Sequence, residues 1–429
     1  MTGMTQEQPA NAADPARAGD PVGLARLVTL LILPTAGMYA TFQGLQQILI
    51  PAQMEALDPV NKIANLGLLT TLSAISAVIA LPAGGAVSDR TRGRWGRRTP
   101  WLVATSLVSA ILMIIMGRAE ALLPFALVYM LLWFVMNFYQ GALTAVLPDR
   151  VPPERRGIAS AMIGFSVPLG IMFGVNIAAR MASFTSYAVI AAMLLVLTAA
   201  FVFLAPEPPY RERSAYSKLP SAPKSSVGTR VHAFFGSFGS RDFTFAFLSR
   251  ALLFVAYFSA SGYLFYFMQD GVGAAKLPGG DVKLAVSKLS TVNMIAWIVA
   301  ILISGWLADR WKRHKMFVGI SAVGLSLTFF IPILVPTWHG MLIYSTLNGL
   351  FFGTYMAIDL ALMSFVLPQE ENAGRDMGLL AVATAAPQLV SPTIAGGLIL
   401  LSGYDALYFF AVVTAMFAGV CAFFIRGVR

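Results

Sequence analysis

The chain has 429 residues, of which 57% are hydrophobic and only 12% charged, and its mean hydropathy is +0.73. Soluble globular chains carry about 25% charged residues, so this composition excludes one and describes a polytopic membrane protein. The formal net charge of +10 does not make a nucleic-acid surface, because the cations punctuate apolar runs rather than gather on one soluble face.

A lone cysteine, Cys421, can form no intramolecular disulfide, and the three histidines are scattered, without metal-ligand spacing. No metal, no cofactor and no nucleic-acid partner are expected. No nucleophile, base and orienting group gather in one place, so an enzyme is not expected either.

Residues 1–26 are rich in Ala, Pro, Asp and Gln and lack the apolar core of a cleavable secretion signal. They read as a disordered cytoplasmic tail. A membrane span needs about 20 mainly apolar residues. By that rule six spans are expected at 27–50, 63–87, 100–117, 121–147, 157–180 and 186–205. A second six follow at 243–268, 285–308, 315–335, 340–367, 377–400 and 405–425.

The second and third spans are joined by a short stretch, Gly84-Gly85-Ala86-Val87-Ser88-Asp89-Arg90-Thr91-Arg92-Gly93-Arg94-Trp95-Gly96-Arg97-Arg98-Thr99-Pro100. So cationic a run cannot sit in lipid, which makes it a tight loop on one face. Small residues before Asp89 allow two helices to approach closely, Asp89 can accept from arginines or helix N-termini, and Pro100 suits the first turn of a helix. The stretch reads as a charged clasp, with Asp89, Arg90, Arg97 and Arg98 as its gating candidates.

Between the sixth and seventh spans, residues 206–242 contain Pro206-Glu207-Pro208-Pro209 and Pro220-Ser221-Ala222-Pro223, which reads as a cytoplasmic linker between two halves, 27–205 and 243–425. The clasp returns in reduced form at Ser304-Gly305-Trp306-Leu307-Ala308-Asp309-Arg310, placing Asp309 and Arg310 beside the first set as gating candidates. Leu147-Pro148-Asp149 is echoed by Leu367-Pro368-Gln369, and Arg156-Gly157 by Arg375-Asp376-Met377-Gly378. Parallel repeats of six helices are a transporter plan.

Of the 30 Lys and Arg residues, Lys62, Arg118, Arg180, Lys276, Lys283 and Lys288 fall on one side of the twelve spans and Arg250 inside a span. The rest fall on the other side, which the positive-inside rule makes cytoplasmic. Both termini, including the short tail 426–429, are therefore expected in the cytoplasm of a cell with a bacterial-type inner membrane.

The loop from Gly85 to Arg98 resembles that between the second and third helices of the major facilitator superfamily. Its longer form, Ser88-Asp89-Arg90-Thr91-Arg92-Gly93-Arg94-Trp95-Gly96-Arg97-Arg98-Thr99-Pro100, resembles the glycoside-pentoside-hexuronide cation symporters and the sucrose carriers. The resemblance implies an all-α fold of twelve transmembrane helices in two pseudo-symmetric six-helix bundles, rocking around a central site, with solute movement coupled to a cation. Melibiose-type carriers hold sodium with acidic residues in their first, second and fourth helices. Here the first half's spans contain none, since Glu55 and Asp58 fall in an outer loop and Asp149 at an inner end, so a proton is expected rather than sodium.

Each ionised group at the bilayer centre costs at least about 2.5 to 3.5 kcal/mol, so those present pair or face a wet cavity. Arg250 in the seventh span and Asp359 in the tenth lie about seven and eight residues from the cytoplasmic ends of their spans, roughly 11 to 12 Å at helical rise. They are candidates for a coupling pair, and the same placement suits a static salt bridge or an arginine reaching for headgroups.

A solute site is offered by Gln43 and Gln47 in the first span, Trp133, Asn137 and Gln140 in the fourth, Tyr257 and Tyr263 in the seventh, Asn293 and Trp297 in the eighth, Asn348 and Tyr355 in the tenth, and Gln388 in the eleventh. Gln43 with Gln47 and Asn137 with Gln140 share helix faces, and amides beside aromatic rings suit hydroxyl-rich solutes. The same amides also suit helix-to-helix adhesion. Pro168, Pro387 and Pro392 fall in the fifth and eleventh spans, as ordinary kinks or as gating points.

The expected function is a secondary active transporter for a small organic solute, a sugar or glycoside, working as a monomer among membrane lipids by alternating access and coupled to protons. Two alternatives stay open: an exporter of amphipathic compounds, which the apolar, Met-rich spans suit, and a non-transporting protein like the pigment-delivery relatives of the wider superfamily.

Overall fold

The computed structural model describes residues 23–152, 155–208, 236–311, 313–365 and 373–425. All regular elements among them are helical. The first half contains α1 (Leu24–Leu57), α2 (Lys62–Arg90), α3 (Thr99–Met116), α4 (Leu122–Arg150), α5 (Arg156–Arg180) and α6 (Ser183–Leu204). The second contains α7 (Arg241–Gly262), α8 (Val282–Trp311), α9 (Lys315–Leu334) and α10 (Trp338–Phe365). A last helical run, Ala373–Phe423, follows.

Eleven of these runs are long and apolar enough to cross a membrane, the last counted as one stretch of 42 residues, Val382–Phe423. At 1.5 Å per residue that is about 60 Å, twice a hydrocarbon core. Gly403 breaks it, at φ 80° and ψ −176°, a backbone that only glycine adopts without strain. Two contacts prove the reversal: Ser391 donates to Val255 O at 3.3 Å, and Ser249 donates to Ala418 O at 2.8 Å. Residues 249 and 255 are about 9 Å apart along α7, whereas 391 and 418 would be about 40 Å apart on a straight helix. The chain therefore turns at Gly403, giving α11 (373–402) and α12 (404–423), twelve spans in all.

α1 extends beyond 27–50 at both ends. Its last turns persist because Gln53 donates to Met116 O and Ala119 O at 3.0 and 3.2 Å and accepts from the Tyr187 hydroxyl at 2.8 Å, which ties them to α3 and α6. Beyond it, the Asp58 carboxyl is held below the ordinary carboxylate range by hydrogen bonds from the Asn61 side chain and backbone and from Asn65.

Small residues set a close crossing in the first half. A Cβ on Gly141 would lie 2.1 Å from Leu81 O, and one on Gly84 would lie 2.2 Å from Phe138 O. Backbone thus meets backbone where α2 crosses α4, just before the clasp.

The tail 1–22, most of the linker (209–235), and residues 366–372 and 426–429 lie outside the described residues, and with them the Pro368-Gln369 echo. The side chains of Asp309 and Arg375 lie outside them too.

Candidate functional site

The clasp closes on the first half itself. Arg98, 4% exposed, makes four hydrogen bonds: Nε donates to Asp149 Oδ2 at 2.8 Å, Nη1 to Gly85 O and the Ser88 hydroxyl, and Nη2 to Asp89 Oδ1, with Nη2 also in ion-pair contact with Asp149 Oδ2 at 2.8 Å. Arg97 also donates to Asp89, at 2.7 Å. Glu207, from the start of the linker, accepts from the backbone N–H groups of Arg97, Arg98 and Thr99 at 2.9, 2.8 and 3.0 Å. A carboxylate on the first N–H groups of α3 answers both their unmet donors and the helix dipole. Arg90 and Arg310 are exposed at the clasp-face ends of α2 and α8.

On the opposite, far face the two halves are joined. Hydrogen bonds between the halves gather at the far face and in its half of the membrane. Lys62 reaches Asp270 at 3.0 Å and Gln269 at 3.3 Å, and Gln269 donates to Glu55. The Tyr266 hydroxyl donates to Pro51 O at 3.0 Å. Deeper, Thr71 and Thr393 hydroxyls meet at 2.6 Å, Asn176 donates to Thr291 at 2.8 Å, and Ser290 donates to Gln47 at 2.7 Å.

Tyr263 belongs to this seal. Its hydroxyl lies 3.0 Å from Pro392 O and 3.3 Å from Ile63 O, bridging α7, α11 and α2. It fills a notch that glycines create, since a Cβ on Gly67 or Gly396 would lie 2.7 or 2.6 Å from that oxygen. A residue chosen as a solute contact is therefore set in the joint between the halves.

In the second half, Arg250 Nη1 donates to Asp359 Oδ2, and Arg250 Nε donates to the Thr384 hydroxyl at 2.8 Å. The guanidinium also lies over the Phe254 ring, 5.6 Å from its centre. Asp359 is 1% exposed. Its carboxylate interacts with the hydroxyl of Tyr355, one turn earlier on the same helix face.

The pair continues into an aromatic wall. Asn348, Phe352, Tyr355 and Asp359 follow at intervals of four, three and four on α10, which is one helix face. Phe352 is its hub: Tyr257 stacks on it with ring centres 3.8 Å apart and planes 6° apart, and Trp297 and Phe254 meet it edge-on at 5.2 and 6.0 Å. Asn293 donates to Ser345 O and Asn348 Oδ1 at 3.0 and 3.1 Å. Two donors along this wall, Trp297 Nε1 and Asn348 Nδ2, are buried with no partner among the described residues, as are the Ser259 and Tyr408 hydroxyls elsewhere in the same half. An unmet buried donor costs about 1 to 3 kcal/mol unless water or a ligand answers it.

The first-half amides are more engaged. Gln47 donates to Gln43 at 2.8 Å while accepting from Ser290, and Asn137 donates to Trp133 O at 2.8 Å. Trp133 packs edge-on against Phe42, with centres 4.8 Å apart. Gln140 is half-buried and Gln388 exposed. Sequence reasoning passed over Phe352 and Thr384. The spacing from Asn348 to Asp359 was the available signal for Phe352, while an ordinary threonine in α11 offered none.

The chain belongs to the major facilitator superfamily, whose pattern it matches over residues 24–280 and 280–429. It is a multi-pass membrane protein of that superfamily's transporter type. AmpG 4 of Rickettsia conorii, a protein named as a transporter, is 24% identical over 341 residues, covering 75% of this chain and 78% of that one. The lactose permease of Leuconostoc lactis is 28% identical over 157 residues, 33% of this chain and 22% of the permease. Among solved structures, a point mutant of the nucleoside transporter NupG superposes with a TM-score of 0.69 at 14% identity, covering 92% of this chain and 98% of that one. A bacterial homologue of the human lysosomal transporter Spinster, inward-facing and unoccupied, superposes with a TM-score of 0.64 at 13% identity, over 96% and 97%. These likenesses carry the fold.

Proposed function

We propose that this protein is a proton-coupled secondary transporter of a neutral, hydroxyl-bearing organic solute, a sugar or glycoside, working by alternating access. The observation that carries the reading is the wall from Asn348 to Asp359, where two unmet donors and stacked rings adjoin a buried ion pair. Sugars stack their apolar faces on aromatic rings and offer acceptors to N–H and O–H groups. The clasp's likeness to the glycoside and sucrose symporters points the same way, as does the partial match to a lactose permease.

In this reading Asp359 takes and releases the proton. With Arg250 in contact the carboxylate stays charged; with Arg250 drawn toward solute, a buried carboxylate favours the protonated form. The clasp face is cytoplasmic by the positive-inside rule, both termini lie there, and the far-face seal makes this the state closed to the outside. Asp89, with Arg90, Arg97, Arg98, Asp309 and Arg310, latches the halves in the opposite state. Uptake into proteoliposomes under an imposed proton gradient tests the reading: a panel of mono- and disaccharides should contain a solute accumulated uphill, and accumulation that ignores the gradient would overturn it.

A further inference from the structure

In the far half of the membrane, α5, α8 and α10 enclose a hollow of about 300 Å³ whose two cations are Arg180 and Lys288. Lys288 stands six residues into α8, about 9 Å along the helix from Val282. It is exposed and shares the hollow with Trp338, at the interfacial depth where a cation meets lipid headgroups. No salt bridge among the described residues includes Arg180 or Lys288.

No carboxylate among the described residues lines this hollow itself. Glu55 and Asp281 line a neighbouring hollow of about 690 Å³ that Arg180 shares. Glu55, however, receives Gln269 and faces Lys62 at 3.5 Å, and Asp281 Oδ1 accepts from Leu284 N at 3.1 Å in the first turn of α8. Arg180 donates to the Asn176 carbonyl oxygen, a neutral group, and Asn176 spends its own N–H groups on Thr291 Oγ1 and Met172 O. The cations keep donors for a group from outside the chain, and a tetrahedral phosphate suits an arginine fork beside an ammonium.

The source of that phosphate follows from what adjoins it. Val292, Trp338 and Leu342 complete the hollow with apolar surface. Lys288 heads a stripe on α8 that continues at Ile295, Val299 and Leu302, seven, eleven and fourteen residues on, which are 52%, 42% and 67% exposed. An acyl chain has a bed directly below the cations, and Trp338 stands at the depth where amphipathic rings meet headgroups.

We propose that this hollow binds an anionic phospholipid of the far leaflet, its phosphate on Arg180 and Lys288 and its chain along Ile295, Val299 and Leu302. The walls come from both halves, with the Asn176 to Thr291 bond crossing between them, so the lipid binds the far-face-closed state in preference and shifts the population toward it.

Native mass spectrometry of the delipidated full chain, titrated with phosphatidylglycerol or phosphatidylcholine, tests this. The parent should retain one more phosphatidylglycerol than the Arg180→Gln, Lys288→Gln variant, and phosphatidylcholine should show no such difference. The parent's melting midpoint should rise with phosphatidylglycerol and not with inorganic phosphate, and the rise should fall by at least half in the variant. The charge-keeping Arg180→Lys, Lys288→Arg variant should retain the lipid. Equal retention by the glutamine variant overturns the proposal, as does equal loss from both variants, since charge then does not hold the lipid. If inorganic phosphate alone reproduces the midpoint shift, the hollow takes a soluble anion and the lipid assignment falls.

Discussion

Arg250 holds Asp359 through Nη1 and the Thr384 hydroxyl through Nε, so a single guanidinium from α7 joins α10 and α11. The carboxylate also interacts with the Tyr355 hydroxyl, one turn earlier on α10. A joint of this kind senses both a proton on Asp359 and a movement of α11. It also stands at the end of the wall that runs from Asn348 along α10.

The clasp makes a separate prediction about stability. Arg98 is buried and donates four hydrogen bonds, while Asp89 is 52% and Asp149 29% exposed. Lysine has three donors where arginine has five, so Arg98→Lys leaves part of the site unmet, at about 1 to 3 kcal/mol. Asp89→Ala should cost less, because a half-exposed pair is screened by solvent. Thermal unfolding in detergent should therefore rank Arg98→Lys below Asp89→Ala. Cysteine accessibility supplies a second readout: if Asp89 latches the halves in the other state, Asp89→Ala should raise labelling on the clasp face, and unchanged labelling would leave Asp89 a purely local brace.

What could be read from the chain divides along physical lines. Spans were legible because twenty apolar residues are a strong signal, and the equal depth of Arg250 and Asp359 was computable once the direction of each span was known. A close helix approach followed from the small residues ahead of Asp89, but that α4 is the partner did not. The role of Tyr263 was not legible, because an aromatic residue in an apolar helix looks the same whether it faces a solute or a neighbouring backbone. Only Gly67 and Gly396, far away in sequence, disclose the notch it fills. The turn at Gly403 was visible only as a short gap between two apolar runs. Glu207 was read as part of a linker, and nothing in its surroundings marked it as the partner of α3's first N–H groups.

The Tyr263 notch predicts a rescue. Gly67→Ala would set a methyl group 2.7 Å from the Tyr263 oxygen, a distance that forces the halves apart at the far face. Gly67→Ala should therefore raise far-face accessibility of a cysteine placed beside Thr71. Adding Tyr263→Phe removes the offending oxygen and should restore much of the closure, even though it also deletes the hydrogen bonds to Pro392 O and Ile63 O. Two additive openings in the double variant would show that the hydroxyl is not the point of conflict.

Solute contacts should rank by how engaged each group already is. Asn348 and Trp297 have unmet donors, so Asn348→Ala and Trp297→Phe should each weaken binding of an identified solute by about 5 to 150-fold, the equivalent of one lost hydrogen bond in a dry site. Asn137 spends its N–H on Trp133 O, so Asn137→Ala should cost less. Gln43→Ala should act mainly through the seal, because Gln43 supports Gln47 and thereby Ser290. Isothermal titration of the four variants checks the order. Asn137→Ala as damaging as Asn348→Ala would move the site toward the first half.

The coupling pair gives the sharpest test. A proton carrier must gain and lose its proton as access alternates, which requires surroundings that differ between the two states. Arg250 supplies that difference, because its contact with Asp359 runs between α7 and α10 while its Nε is tied to α11, the helix whose Pro392 carbonyl carries the Tyr263 joint. Closing or opening the far face therefore pulls on the helix that holds Arg250. Asp359→Asn imitates the protonated form and should abolish uphill, proton-driven accumulation while leaving solute counterflow partly intact. Arg250→Ala should damage both, because it leaves a buried carboxylate without its partner, a loss of about 3 to 5 kcal/mol in comparable buried pairs. Thr384→Val removes only the tie to α11 and should lower accumulation with a smaller effect on counterflow. Reconstituted vesicles report both quantities on the same protein. Accumulation by Asp359→Asn equal to that of the parent would make the pair a static brace and move coupling to another group.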